Sequence, residues 1–154
     1  MPDPYDTDIL TWAEHQAALL RRLAAGERVN DAIDWPNVIE ELETVGRSEL
    51  KAVESLLIQA FVHLIKLQAN PDSIDADHWA DETDTFLANA KRAFTPSMRQ
   101  RIDLDDLFAD ASGRVRRRLA SPPVRPLPET CPYTLDDLLV PEPDIDALTA
   151  RLSR

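Results

Sequence analysis

Residues 34–68, DWPNVIEELETVGRSELKAVESLLIQAFVHLIKLQ, hold one helical period without a break. Val38, Leu42, Val45, Val53, Leu57, Phe61, Leu64 and Leu67 recur at helical spacing. A helix over this run spans roughly 50 Å at 1.5 Å per residue. The rest of the chain has to be arranged along it. Asp34 stands where an N-cap belongs, Pro36 falls in the first turn, and Ile33 and Val38 are placed to form a hydrophobic staple. Gly46, in mid-helix, predicts either a kink or a close approach of a second helix. The first part of the run has a polar face. LLIQAFVHLI is apolar almost all round, so it must be covered on several sides. It is the expected centre of the core.

Three glycines and twelve prolines leave little room for hairpins and much for helix stops. The predicted fold is all-α: a helical bundle of about four main helices with a Pro-rich strap and short C-terminal helices. Helix one is expected from Asp6 as N-cap, with Tyr5 packing on Leu10, and a stripe of Ile9, Trp12, Leu19, Leu20 and Leu23 that Gln16 interrupts. Gly26 is placed to end it. Asn70-Pro71 breaks the chain, and helix three starts around Ser73 to Asp75. Thr95 and Pro96 are placed as N-cap and first residue of the next helix, with DLDDLFADASGRVRRRLA as a further helix. Residues 120–133 are too rich in proline for helix or central strand. Thr134 and Asp137 then form a capping box, and DIDALTARL closes the chain. Residues 1–154 are read as one helical domain: main bundle 5–119, connector 120–133, short helices 134–154.

The net charge of -11 argues against nucleic acid and anionic membranes as partners. It suits a protein partner, either a basic one or a second copy of the chain. The one basic cluster, Arg114 to Arg118, is read as a solvated helix end facing the C-terminal dipole, with a phosphate-binding patch as the alternative. The single cysteine, Cys131, fits a reducing cytosol. MPDPYDTDIL has no basic segment followed by an apolar run, so no secretory signal is expected, and no window reaches the roughly 18 apolar residues of a membrane span. The expected location is the cytoplasm.

Four blocks share a wider pattern: YDTDILTWAEHQAALLR, DWPNVIEELETVGRSE, HLIKLQ and PETCPYTLDDLL. Together they resemble the bacterial family called domain of unknown function 29. Its members show a YDxDxxxWxxxQxxLLR start, an IDWxxxxEEIExxGRSE block, an LLxHLLKWQ segment and an xECPYTLxxLL ending. The resemblance runs from about Tyr5 to about Leu139. Leu67 stands where a tryptophan is frequent, Pro36 replaces a helix former, and the arginine-rich spacer after His63 is missing. The resemblance implies a helical fold and a bacterial source. It implies no activity.

Nucleotide loops and the GxSxG, CxxC and HExxH motifs are absent. The best chemical candidates are histidines. With a turn near Pro71, His63 lies eight residues before it and His78 seven after, so the two can meet at one level. Asp75 shares the His78 side of its helix, while Asp77, Asp81 and Glu82 are close by. His63, His78 and Asp75 would make a divalent-metal set. His15 falls about 18 residues, roughly 27 Å of helix, from the level of His63, which excludes a three-histidine site. The preferred reading of His63 is a core histidine with a satisfied ring. Glu41 is expected to pair with Arg47 or Arg21. In ETCPYT, Tyr133 is expected to pack on the bundle, with Tyr133 and Thr134 as a partner-binding loop in the sharper alternative. The functional expectation is a non-enzymatic binding or regulatory protein acting through protein contacts, without a cofactor. The alternative is a metal-dependent bundle enzyme using His63 and His78 with one divalent metal.

Overall fold

The computed structural model describes residues 3–118 and 126–154, and among them every regular element is helical. In chain order these are α1 (Pro4–Thr7), α2 (Ile9–Ala24), α3 (Trp35–Ala69), α4 (Ala76–Ala93), α5 (Leu104–Arg118), α6 (Leu135–Leu138) and α7 (Ile145–Arg151). Short 3-10 turns stand at Asn30–Ala32 and Pro96–Met98. The chain is thus the expected all-α protein, with α2 to α5 as its four main helices. It divides into two units, Met1–Arg47 and Ser48–Arg154.

In Met1–Arg47, α2 begins two residues later than the sequence suggests. Asp3 caps α1, accepting from the Tyr5 N–H at 2.9 Å, and Pro4 opens that turn. Asp8, not Asp6, then caps α2, accepting from the Thr11 N–H at 3.1 Å. Asp6 lies inside α1, so it cannot take the non-helical backbone of an N-cap. Leu10 is exposed; the staple with Tyr5 is replaced by an edge-to-face contact between Tyr5 and Trp12 at 4.9 Å. Trp12, Leu19, Ile33 and Val38 form the core of this unit, with Leu20, Leu23 and Trp35 packed against it. Gly26 ends α2 in the left-handed region, at φ 90°. Among the described residues no neighbour comes within 4 Å of where a Cβ on Gly46 would lie, so of the two readings a close approach is not the one seen.

In Ser48–Arg154 the all-round apolar segment is the centre of the core, as its composition requires. Val53, Leu57, Ala60, Phe61, Leu64 and Ile65 of α3 are fully buried. Leu87 and Ala90 of α4, and Leu107, Phe108, Ala111 and Val115 of α5, close around them. Phe61 meets Phe108 edge-on and stacks on Tyr133, both at 5.8 Å between centroids. Pro96 starts only a 3-10 turn, to which Thr95 gives no side-chain cap. The start of α5 is held instead by Asp103, which accepts from the Asp106 N–H at 3.2 Å. Of the Pro-rich stretch, 120–125 lie outside the described residues. Leu127 and Cys131, further on, pack against the core. The Thr134–Asp137 capping box forms as expected and opens α6.

Candidate functional site

The polar residues of α2 and α3 in Met1–Arg47 are tied to one another. Asp34 stands just before α3 and accepts from the Trp12 indole N–H at 2.9 Å and the Asn37 amide at 2.8 Å. These donors, Asn37 first, hold its carboxyl below the usual carboxylate range. Gln16, the polar break in the stripe, is buried because its Oε1 accepts from the Asp34 N–H at 2.9 Å. Glu41 accepts from the Tyr5 hydroxyl at 2.6 Å. It pairs with neither arginine: Arg47 takes Glu40 at 3.1 Å and Glu43 at 3.6 Å. The backbone explains this, because Arg47 can reach carboxylates on its own face of the helix, whereas Glu41 points to Tyr5. His15 is exposed at the edge of a cavity of about 270 Å³ that Trp12, Gln16 and Asp34 also line.

The outer face of α3 in this unit is apolar and uncovered. Ile39 is 51% exposed, Leu42 70% and Val45 60%. They are spaced three apart, so they form one strip along the helix. Glu40 and Glu43 stand beside it, both exposed.

In Ser48–Arg154 the two candidate histidines meet through a carboxylate that the sequence ranked only as a neighbour. His63 Nδ1 donates to the Gln59 carbonyl at 2.9 Å. That turns Nε2 to Glu82 Oε2, with which it makes a hydrogen bond. Both ring nitrogens of His63 thus have hydrogen-bond partners. His78 reaches the other oxygen of Glu82 at 3.4 Å, four residues along α4. The Phe86 ring packs edge-on to His63 at 5.4 Å. His63 is therefore a half-buried histidine with both nitrogens engaged. Asp75 is not drawn in: it holds the N-cap position of α4 with its side chain making no cap hydrogen bond, and it pairs with neither ring. Among the described residues no group of three or more His, Cys, Asp and Glu side chains is arranged to hold a metal ion. Glu82 could have been singled out from its i,i+4 spacing to His78.

A cavity of about 190 Å³, which His63 also lines, opens between α3 and α5. Lys66, Arg114 and Arg118 line it. Two arginines of the basic cluster thus turn toward α3.

Tyr133 and Thr134 are used inside this unit. Tyr133 is buried, its hydroxyl donating to the Leu148 carbonyl at 2.7 Å. Burial pushes its hydroxyl up from the ordinary tyrosine value. Thr134 accepts from the Asp137 N–H at 3.2 Å, and Asp137 in turn is held by Arg151 at 2.8 Å. Cys131 is half-buried, and burial pushes its thiol up to about 11. Little of it is the nucleophilic thiolate near neutrality.

These helices and side chains define an all-α bundle protein held by internal caps and polar ties. The chain belongs to the family described as Domain of unknown function DUF29, whose sequence pattern matches residues 4–142. It is similar to an alpha-helical protein of unknown function from Rhodospirillum rubrum, solved by crystallography at 1.45 Å resolution. The two share 30% identity over 100% of both chains, with a TM-score of 0.75. No curated protein matches. No helix among the described residues is long and apolar enough to cross a membrane. The blocks that carry the family resemblance include Tyr5, Trp12, Gln16, Asp34 and Glu41, the residues joined above in Met1–Arg47.

Proposed function

We propose that this protein is a non-enzymatic, cytoplasmic binding protein whose α3 strip in Met1–Arg47 receives a basic amphipathic helix from another protein. The strip of Ile39, Leu42 and Val45 is the observation that carries the reading. Covering these three side chains, already partly shielded, is worth roughly 3 kcal/mol at about 25 cal/mol per Å² of apolar area. Charge selects the partner. Met1–Arg47 holds ten Asp and Glu against four Arg, and Glu40 and Glu43 flank the strip. A second copy would bring like charges together, whereas lysines or arginines beside an apolar stripe would meet complementary ones. The engaged nitrogens of His63 and the raised thiol of Cys131 support a role without covalent chemistry.

The test uses a labelled peptide of leucine and lysine in helical period, with a scrambled peptide of the same composition. Fluorescence anisotropy should show saturable, salt-sensitive binding of the amphipathic peptide. Leu42→Asp should weaken it at least about tenfold, roughly 1.4 kcal/mol. Equal binding of both peptides, or an unchanged affinity in Leu42→Asp, would overturn the proposal. So would a dimer in sedimentation velocity that Leu42→Asp dissolves, because a second copy would then own the strip.

A further inference from the structure

We propose that the cleft between α3 and α5 in Ser48–Arg154 binds the phosphate group of a small, soluble phosphate monoester. Lys66 and Gln59 reach it from α3, Arg114 and Arg118 from α5, and Val62 and Val115 supply its apolar part. No lining residue is acidic, although the chain has 28 Asp and Glu against 17 Lys and Arg. Against that background, three cations on one small cavity are a local reversal of sign. In a recess with low-dielectric walls such a reversal focuses a field for anions.

The groups are suited to the task. Arg114 and Arg118 are four apart, so both forks sit on the same side of α5. A guanidinium fork matches two phosphate oxygens, and a lysine adds a point charge. Arg114 also pairs with Asp110 at 2.8 Å through one nitrogen, which leaves its other N–H groups available. Lys66 Nζ lies 5.6 Å from the centre of the Trp79 ring, which steadies it without neutralising it. Among the described residues neither Lys66 nor Arg118 has a carboxylate partner. The His63 ring lines the cavity with both nitrogens already engaged, so it shapes the wall and the other side chains donate.

Size and charge narrow the ligand. A volume of about 190 Å³ lies below the ~300–1,000 Å³ of sites that enclose drug-sized ligands. It suits a phosphate with a short tail. Three cations favour a dianion over a lone carboxylate. A nucleic-acid strand would face the net charge of -11 beyond the cleft. The site does not depend on the strip in Met1–Arg47.

The experiment is a phosphorus NMR titration of the full chain with glycerol 3-phosphate at low salt. The expected result is saturable binding with a dissociation constant on the order of 1 mM or tighter. Lys66→Ala and Arg118→Ala should each weaken it about tenfold, while Lys91→Ala, on the exposed side of α4, leaves it unchanged. Arg118 is exposed at the last position of its helix, so its loss leaves the fold intact, which circular dichroism verifies. No saturable binding up to about 10 mM would overturn the proposal. Undiminished binding in the Lys66→Ala, Arg118→Ala double variant would do the same. Succinate binding as tightly would remove the assignment to phosphate. Sedimentation with phosphatidic acid vesicles in the absence of glycerol 3-phosphate binding would move the site to a lipid surface and overturn the soluble ligand.

Discussion

Tyr5 and Glu41, thirty-six residues apart in the chain, are joined by a hydrogen bond of 2.6 Å. The bond, and the negative charge of Glu41 behind it, push the Tyr5 hydroxyl up to about 12. A tyrosine raised in the folded state stabilises the fold fully below its unfolded value of 10.0, and that contribution disappears as pH rises through about 12. The chain has two tyrosines, and the other, Tyr133, is also raised. Ultraviolet titration of the folded protein should therefore show almost no tyrosinate at pH 10. Tyr5→Phe should reduce the stability loss between pH 10.0 and about 12 in urea melts, leaving the part that Tyr133 contributes. A tyrosinate signal of full size at the ordinary value would show that neither hydroxyl is held.

Acid should act through Asp137 in Ser48–Arg154. Arg151 holds the Asp137 carboxyl down to about 2 from 3.8, with the Thr134 N–H helping. A carboxyl lowered in the folded state stabilises the fold above its unfolded value and loses that effect as pH falls through the folded one. Chemical denaturation followed between pH 5 and pH 2 should show a falling midpoint, with the pH 5 value as reference. Arg151→Gln should lower the midpoint at pH 5 and flatten the slope below 3.8. The pair is partly exposed, so the effect is modest and should shrink in high salt. An unchanged slope in Arg151→Gln would show that Asp137 takes its stabilisation elsewhere.

Local rules made much of this fold legible. The 34–68 run gave helix bounds within one residue of Trp35–Ala69, because period, N-cap and the Asn70-Pro71 break agree. The Thr134–Asp137 box and the Gly26 stop are also short-range signals. What failed was decided at a distance. Asp6 and Asp8 look alike as caps until Pro4 starts its own turn. Glu41 goes to Tyr5 because the fold brings α1 beside it, which no spacing in the sequence displays. Gln16 reads as an interruption until the Asp34 N–H gives its burial a reason. The spacing allows His63 and His78 to share one level, and Glu82, not Asp75, is the residue both contact. The orientation of Arg114 and Arg118 toward Lys66 depends on how α5 rolls against α3, and apolar packing sets that roll.

Gly46 and Gly26 should respond to alanine with opposite signs. A Cβ on Gly46 meets nothing within 4 Å, and its backbone is ordinary helix. Gly46→Ala should stabilise by up to ~1 kcal/mol through helix propensity alone. Gly26 also has open space around it, but its φ of 90° is unfavourable for any residue with a Cβ. Gly26→Ala should cost about 1 kcal/mol. Urea denaturation with far-ultraviolet circular dichroism measures both. A destabilised Gly46→Ala would mean that something covers this face of α3 in solution.

Gln68 closes α3 with a side chain that is buried yet lacks a partner among the described residues for either its oxygen or its nitrogen. A buried polar group left without a hydrogen bond costs about 1–3 kcal/mol. Replacing it by an apolar residue of similar volume removes that cost and keeps the packing. Gln68→Met should therefore raise the urea midpoint, by an amount equivalent to about 1 kcal/mol or more. The contrast is Thr83, also fully buried, whose hydroxyl donates to the Trp79 carbonyl at 2.7 Å. Thr83→Val gives up that bond and should gain nothing comparable. If Gln68→Met lowers stability instead, a water or a second molecule completes the Gln68 hydrogen bonds, and difference hydrogen exchange at the end of α3 would locate it.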